Sequence, residues 1–219
     1  MEVLTHAMES RAPLIIGAVA DLPSLKADPR DCDLIELRID SVGTNESILN
    51  YAIKCTTPLL ITARGPEEGG KNSLTVNERR EAYLKLMPYA SAIDIELRSH
   101  TELADVITEA KKQGTVIVGS FHDFEKTPTL GELESKIGNS ADLHKFATFI
   151  QSGKDLEIHQ ALLKKDIPLS VMGMGPLGSE ARPIMMQLGS ILNYGYLGET
   201  ATAPNQWPVA KLRAARDAS

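Results

Sequence analysis

The sequence predicts an α/β protein folded as a single (β/α)8 TIM barrel over residues 1–219. Three observations predict it. First, eight strand-like runs at 12–20, 32–40, 58–64, 91–97, 115–124, 142–148, 167–175 and 191–198 alternate with helix-like stretches. Strands separated by helices pair in parallel, because each return needs a crossover, and this many units in 219 residues suits a closed barrel. An open doubly wound sheet is the alternative. Second, several strands alternate apolar and charged residues, where a sheet covered on both faces would be apolar throughout. Third, the charges gather toward the C-terminal ends of the strands, the end at which barrels build active sites.

Taken in order, residues 1–11 ("MEVLTHAMESR") read as a flexible N-terminal arm, with no apolar segment like that of a signal peptide. "APLIIGAVA" is the first strand. The stretch 22–30 makes a poor helix because Pro23 and Pro29 crowd it. In "CDLIELRID", Leu37 and Ile39 face one way and Glu36, Arg38 and Asp40 the other. In "PLLITAR", Thr62 and Arg64 share a face, and the following "RGPEEGGKNS" (64–73) reads as a mobile loop hinged at Gly69 and Gly70. "SLTVNERREAYLKLM" (73–87) carries a helical stripe of Leu74, Val76, Tyr83, Leu84 and Met87.

The fourth strand sets Ile93, Ile95 and Leu97 against Asp94, Glu96 and Arg98. "TELADVITEAKKQG" (101–114) opens with a loose capping pattern, Thr101 to Asp105, and stops at Gly114. The fifth strand runs into "GSFHDFEKTP" (119–128), with Ser120 and His122 on one face. In the sixth, "DLHKFAT", Lys145 points with Leu143 and Ala147, opposite Phe146. A helix at 152–166 follows, and then a strand with Met172 and Met174 on one face. After the eighth strand comes "GETATAPNQ" (198–206), a lid or a mere connection, and a last helix at 205–219.

Composition narrows the function classes. A net charge of −6 advertises no basic face for nucleic acid. No run approaches the ~20 apolar residues of a membrane helix. Cys32 and Cys55 are too few for a disulfide framework. The expectation is a soluble intracellular protein. "GMGPLG" (173–178) lacks the Gly-Lys-Ser/Thr ending of a phosphate loop, and no Cys/His spacing suits zinc.

Each candidate has two readings. His122 is either a structural histidine or a proton shuttle held by Asp123 or Glu125. Lys145 is either a lysine snorkelling at a strand end or a desolvated amine able to attack a ketone. Glu36, Arg38, Arg64, Glu68 and Arg182 form either an ion-pair network at the barrel mouth or a binding site in which arginine forks a carboxylate. The methionines are core by default.

Together, "DLIELRID", "ITARGPEEGG", "IDIEL", "SFHDFEKTP", "DLHKFAT", "MGMGPLGSEAR" and "TAPNQ", in this order, resemble the type I 3-dehydroquinate dehydratase family from about Pro13 to Arg213. The resemblance implies a cytoplasmic homodimeric barrel that converts 3-dehydroquinate to 3-dehydroshikimate in the shikimate pathway of aromatic amino-acid biosynthesis, without metal or external cofactor. It implies that Lys145 forms an imine with the C3 ketone, that His122 is the general acid and base, and that Glu68, beside Glu67, orients the histidine. It further implies that Glu36 and Arg38 contact the ring hydroxyls, Arg64 is the family's substrate-binding arginine of the third strand, Arg182 grips the carboxylate, Met172 and Met174 pack on the ring, and Gln206 belongs to a closing loop. Tyr194 stands where the family commonly has phenylalanine, and Thr202 where it commonly has serine. No hairpin pattern like the one that closes the barrel bottom in longer relatives precedes the first strand. The rival readings are a class I aldolase, which would want a phosphate site, and a ligand-binding barrel without catalysis.

Overall fold

The computed structural model describes residues 2–203 and 205–218; Pro204 of the "TAPNQ" motif lies outside the described residues. In chain order the elements are α1 (Glu2–Ser10), β1 (Leu14–Val19), β2 (Leu34–Arg38), α2 (Ile39–Val42), α3 (Glu46–Lys54), β3 (Leu59–Thr62), α4 (Val76–Leu86), β4 (Ala92–Glu96), α5 (Ala104–Gln113), β5 (Val116–Asp123), α6 (Leu130–Glu134), β6 (Leu143–Phe149), α7 (Gly153–Leu163), β7 (Leu169–Met174), α8 (Gly178–Gln187), β8 (Leu192–Tyr196) and α9 (Val209–Asp217). The strands form one parallel sheet in the order β7-β6-β5-β4-β3-β2-β1-β8.

The seam between β7 and β8 closes through one backbone hydrogen bond and two serine side chains. The Ile191 N–H donates to the Leu169 carbonyl at 2.9 Å. The Ser170 hydroxyl accepts from the Leu192 N–H at 2.7 Å, and the Ser190 hydroxyl accepts from the Val171 N–H at 2.9 Å. Two serines thus satisfy backbone donors that a regular ladder would otherwise pair. The sheet is the closed barrel, not the open doubly wound alternative.

Residues facing the axis change character along each strand. Near the N-terminal ends, Leu14, Ile16, Leu34, Leu60, Ala92, Val116, Val118, Leu143 and Leu192 form one buried apolar cluster. Two to four residues later the same faces carry Glu36, Thr62, Asp94, Ser120 and Lys145, all buried. The opposite faces, among them Ile35, Leu37, Ile61, Ile93, Ile95 and Ile117, pack under the helices.

Within residues 1–11, expected as a flexible arm, Glu2–Ser10 instead forms a helix. Helix α1 buries Leu4 and Ala7, and both join the apolar cluster at the bottom of the axis. A nine-residue helix is marginal in isolation; docking on an open apolar barrel end supplies what its propensity does not. This helix does the closing for which no hairpin pattern was found.

The four helices expected at 73–87, 101–114, 152–166 and 205–219 form as α4, α5, α7 and α9. Thr75 and Glu78 cap α4 reciprocally, as Ser152 and Asp155 cap α7. The expected Thr101–Asp105 cap of α5 does not form. The helix starts from Leu103 with no side-chain cap, because residues 100–103 are still a turn. Between β1 and β2 only the one-turn 3-10 helix Pro23–Lys26 fits. Arg98 leaves its expected face: the chain enters the 3-10 turn Leu97–Ser99, and Arg98 ends exposed.

Candidate active site

The C-terminal end of the barrel opens into a cavity of about 170 Å³. Glu36, Arg38, Arg64, Glu68, His122, Lys145, Met172, Met174, Arg182, Tyr194, Thr202 and Gln206 all line it, together with Phe124, Ala147 and Ala203. Every site candidate read from the sequence therefore lies on one surface.

Lys145 is buried, and its Nζ donates to Asp94 Oδ2 at 2.7 Å. Asp94 is shared. Arg64 Nη2 lies 2.9 Å from Asp94 Oδ1, and the Ser120 hydroxyl donates to the same oxygen at 2.5 Å. Register brings these groups together: Asp94 pairs with Val118 across β4 and β5, and Ser120 pairs with Lys145 across β5 and β6. Burial lowers the Lys145 ammonium below its usual range, with Asp94 opposing and Arg64 assisting. Burial alone would raise Asp94, but Arg64 and Lys145 outweigh it and hold this carboxyl well below the usual range. Arg64 is the cation that acts most strongly on this lysine.

His122 stands one strand from Lys145, opposite Ala147. Its Nδ1 lies 2.8 Å from Glu68 Oε2, which also accepts the His122 backbone N–H at 3.0 Å. Of the carboxylates able to hold this ring, the fold uses Glu68. Asp123 instead accepts the backbone N–H groups of Glu125 and Lys126. Gly70 makes this possible. A Cβ there would sit 2.2 Å from the Arg64 carbonyl oxygen, so only glycine lets the loop fold back and present Glu68 to β5. Burial, helped by Arg64 and Lys145, pushes His122 well below the usual histidine range, so its ring is neutral near pH 7. Burial raises Glu68 to about 7 against the pull of Arg64.

On the β2 side, Glu36 Oε1 accepts from the Thr62 hydroxyl at 2.8 Å. Arg38 makes a two-pronged contact with Asp40, at 2.9 and 2.8 Å. On the β8 side, Arg182 Nη1 donates to the Tyr194 carbonyl at 3.0 Å, while its buried Nε has no partner among the described residues. No carboxylate among the described residues pairs with this guanidinium. Gly178 sets its position: a Cβ there would lie 2.6 Å from the Gly173 carbonyl oxygen, so α8 starts hard against β7. Thr202 and Gln206 bond each other, the Gln206 Oε1 accepting from the Thr202 N–H at 2.8 Å and its hydroxyl at 2.7 Å.

Three residues at the site escaped assignment. Asp94 and Ser120 are visible as polar positions on alternating strands, but their partnership with Lys145 exists only through strand register. Phe124, 49% exposed, stacks on the His122 ring with centroids 6.3 Å apart. Its only signal is its place within "SFHDFEKTP". Among the described residues, no group of three or more His, Cys, Asp or Glu is placed to hold a metal ion, and no helix is long and apolar enough to cross a membrane.

A buried amine, a neutral histidine held by a carboxylate and an arginine with no carboxylate partner among the described residues suit imine and proton-transfer chemistry on a small anion. The sequence model of the type I 3-dehydroquinases matches residues 18–219. The chain belongs to the type I 3-dehydroquinase family. Family membership makes it an enzyme and sets aside both the aldolase and the non-catalytic readings. The 3-dehydroquinate dehydratase of Methanocella arvoryzae is 33% identical over 210 residues, 91% of this chain and 94% of the relative. The catabolic 3-dehydroquinate dehydratase of Acinetobacter baylyi is 33% identical, over 85% of this chain and 76% of its own. Among solved structures, the Aquifex aeolicus 3-dehydroquinate dehydratase superposes on this type I dehydroquinase barrel with a TM-score of 0.81 at 26% identity, covering 94% of this chain and 98% of the other.

Proposed function

We propose that the enzyme dehydrates 3-dehydroquinate to 3-dehydroshikimate through a Schiff base on Lys145. The observation that carries this reading is the buried Lys145 amine, weakened as a base and set in the same cavity as His122. Neutral Lys145 adds to the C3 ketone, and loss of water leaves a protonated imine. The imine draws electrons from C2, and His122, neutral at its Nε2, takes the C2 proton. The electron pair forms the C1–C2 double bond as the C1 hydroxyl departs, and His122 returns its proton to that oxygen. Water then hydrolyses the imine, so the net change is loss of one water.

Glu68 fixes the ring and tautomer of His122. Asp94 and Arg64 hold Lys145 in place before attack. Arg182 binds the ring carboxylate with a guanidinium whose buried Nε has no partner among the described residues. Glu36 and Arg38 face the ring hydroxyls, Met172 and Met174 its apolar side, and Thr202 with Gln206 its open side. Metal or external cofactor has no step in this scheme. The family resemblance carries with it a homodimer, which sedimentation tests, and a cytoplasmic setting.

Borohydride added with substrate should reduce the imine to a secondary amine. Mass spectrometry should place the added mass on the "DLHKFAT" peptide, and Lys145→Ala should abolish both trapping and turnover. Trapping at Lys126 or Lys154, or full activity in Lys145→Ala, would sink the reading.

A further inference from the structure

Tyr194 is 6% exposed, and its hydroxyl is buried with no hydrogen-bond partner among the described residues, yet the residue lines the catalytic cavity. An unpaired buried hydroxyl costs stability. A phenylalanine would fill the same wall without that cost, so the oxygen asks for a function.

Its surroundings specify one. Lys145 Nζ lies over the Tyr194 ring, 4.3 Å from the centroid. The ring is therefore fixed beside the atom that becomes the imine nitrogen. A phenol anchored there reaches substrate atoms close to the imine carbon. Burial and the neighbouring Glu36 and Asp94 push the phenol well above its usual range, so it stays protonated and serves as a donor. Glu36, on the same cavity, is an acceptor with one oxygen already engaged by Thr62. Tyr194 and Glu36 both line the cavity, and a group that accepts and donates at once satisfies such a donor and such an acceptor together. A hydroxyl does this; a methylene leaves both unpaired.

We propose that the Tyr194 hydroxyl donates a hydrogen bond to the hydroxyl on the substrate carbon next to the reacting ketone, C4, and so selects substrates oxygenated there. This rests on the imine reading above, because Lys145 sets where the ring sits.

The test is Tyr194→Phe, assayed with 3-dehydroquinate and with its 4-deoxy analogue. kcat/KM on 3-dehydroquinate should fall roughly tenfold, the worth of one lost hydrogen bond. On the analogue the two enzymes should differ by less than about twofold, since the bond has no partner to lose. The ligand-free variant should melt at the same temperature or higher. Unchanged kinetics on 3-dehydroquinate, an equal loss on both substrates, or a lowered melting temperature would each overturn the proposal. Borohydride capture at Lys145 is followed in parallel. Its absence from the parent enzyme would refute the imine reading, whereas capture in both enzymes with unaltered discrimination would refute the role of Tyr194 alone.

Discussion

The two ends of this barrel are built from the same strands and obey opposite rules. At the bottom, the axis is filled by aliphatic side chains and plugged by Leu4 and Ala7 of α1. At the top, two to four residues further along, it holds Glu36, Arg64, Asp94 and Lys145, and Arg182 Nε and the Tyr194 hydroxyl are left without partners among the described residues. Burying charge is costly unless it is paired, and the top pairs only part of its own. The bottom supplies the packing that lets the top stay incompletely satisfied. Stability and chemistry are thus divided along the barrel axis, as the end-to-end asymmetry of such barrels leads one to expect.

The division is broken most sharply at the top. His122→Ala should lower kcat by about 10²–10⁴-fold, the usual range for a lost general acid and base, while borohydride still captures Lys145 and the melting temperature moves little. Near-normal turnover would return His122 to a structural role. At the bottom the outcome should reverse. Leu4→Ala should cost about 2–5 kcal/mol of stability, as for other large-to-small changes in a packed core, with kcat and KM unchanged under conditions where the protein is folded. A large kcat loss in folded Leu4→Ala would show that the two ends are coupled.

The same division governs what was legible in the sequence. Period-two alternation set Glu36 with Arg38, Arg64 with Thr62, His122 with Ser120 and Lys145 with Leu143 and Ala147 on shared faces, because a strand dictates side-chain direction locally, and the barrel expectation turned the charged faces inward. Partnerships were not legible. Asp94 meets Lys145 across 51 residues of sequence, through the registers of two strand pairs. Nearness in sequence offers Asp123 or Glu125 as the carboxylate beside His122, and only the family resemblance points to Glu68, which a glycine-dependent loop carries back to the ring. The arm at 1–11 looked unstructured because a short helix gains its order from docking, which no local pattern records. Helix α6, five residues long, and α8, which begins inside a glycine-rich run, offered too little periodicity to read.

The smallest effect concerns the shell outside the barrel wall, level with the active site. His159 on α7 is fully buried, and its Nε2 lies 2.6 Å from the Thr148 hydroxyl. Thr148 lies 3.0 Å from the Thr127 hydroxyl, which donates to the Phe149 carbonyl at 2.9 Å. Thr127 has one proton and spends it there, so Thr148 must donate to Thr127 and accept from His159 Nε2–H. That leaves Nδ1 as a bare, buried lone pair, and it has no partner among the described residues. A second proton would have to enter there, unsolvated. Burial accordingly lowers His159 to about 4, against 6.5 for a free histidine, with Asp155 opposing only in part. The unfolded chain therefore binds this proton before the folded one does, so stability is full above pH 6.5 and falls as pH drops toward 4. A displacement of that size corresponds to a loss of about 3 kcal/mol at the acid end. His159→Gln, which can keep a donor toward Thr148 and does not titrate, should match the parent at pH 7 to within about 1 kcal/mol and lose less stability between pH 6.5 and 4. Chemical denaturation at pH 7, 5.5 and 4.5 measures this; parallel curves for the two proteins would mean that His159 does not titrate in this window. The pH dependence of kcat/KM should be the same in both proteins, because this histidine lies behind the wall and His122 lies in front of it.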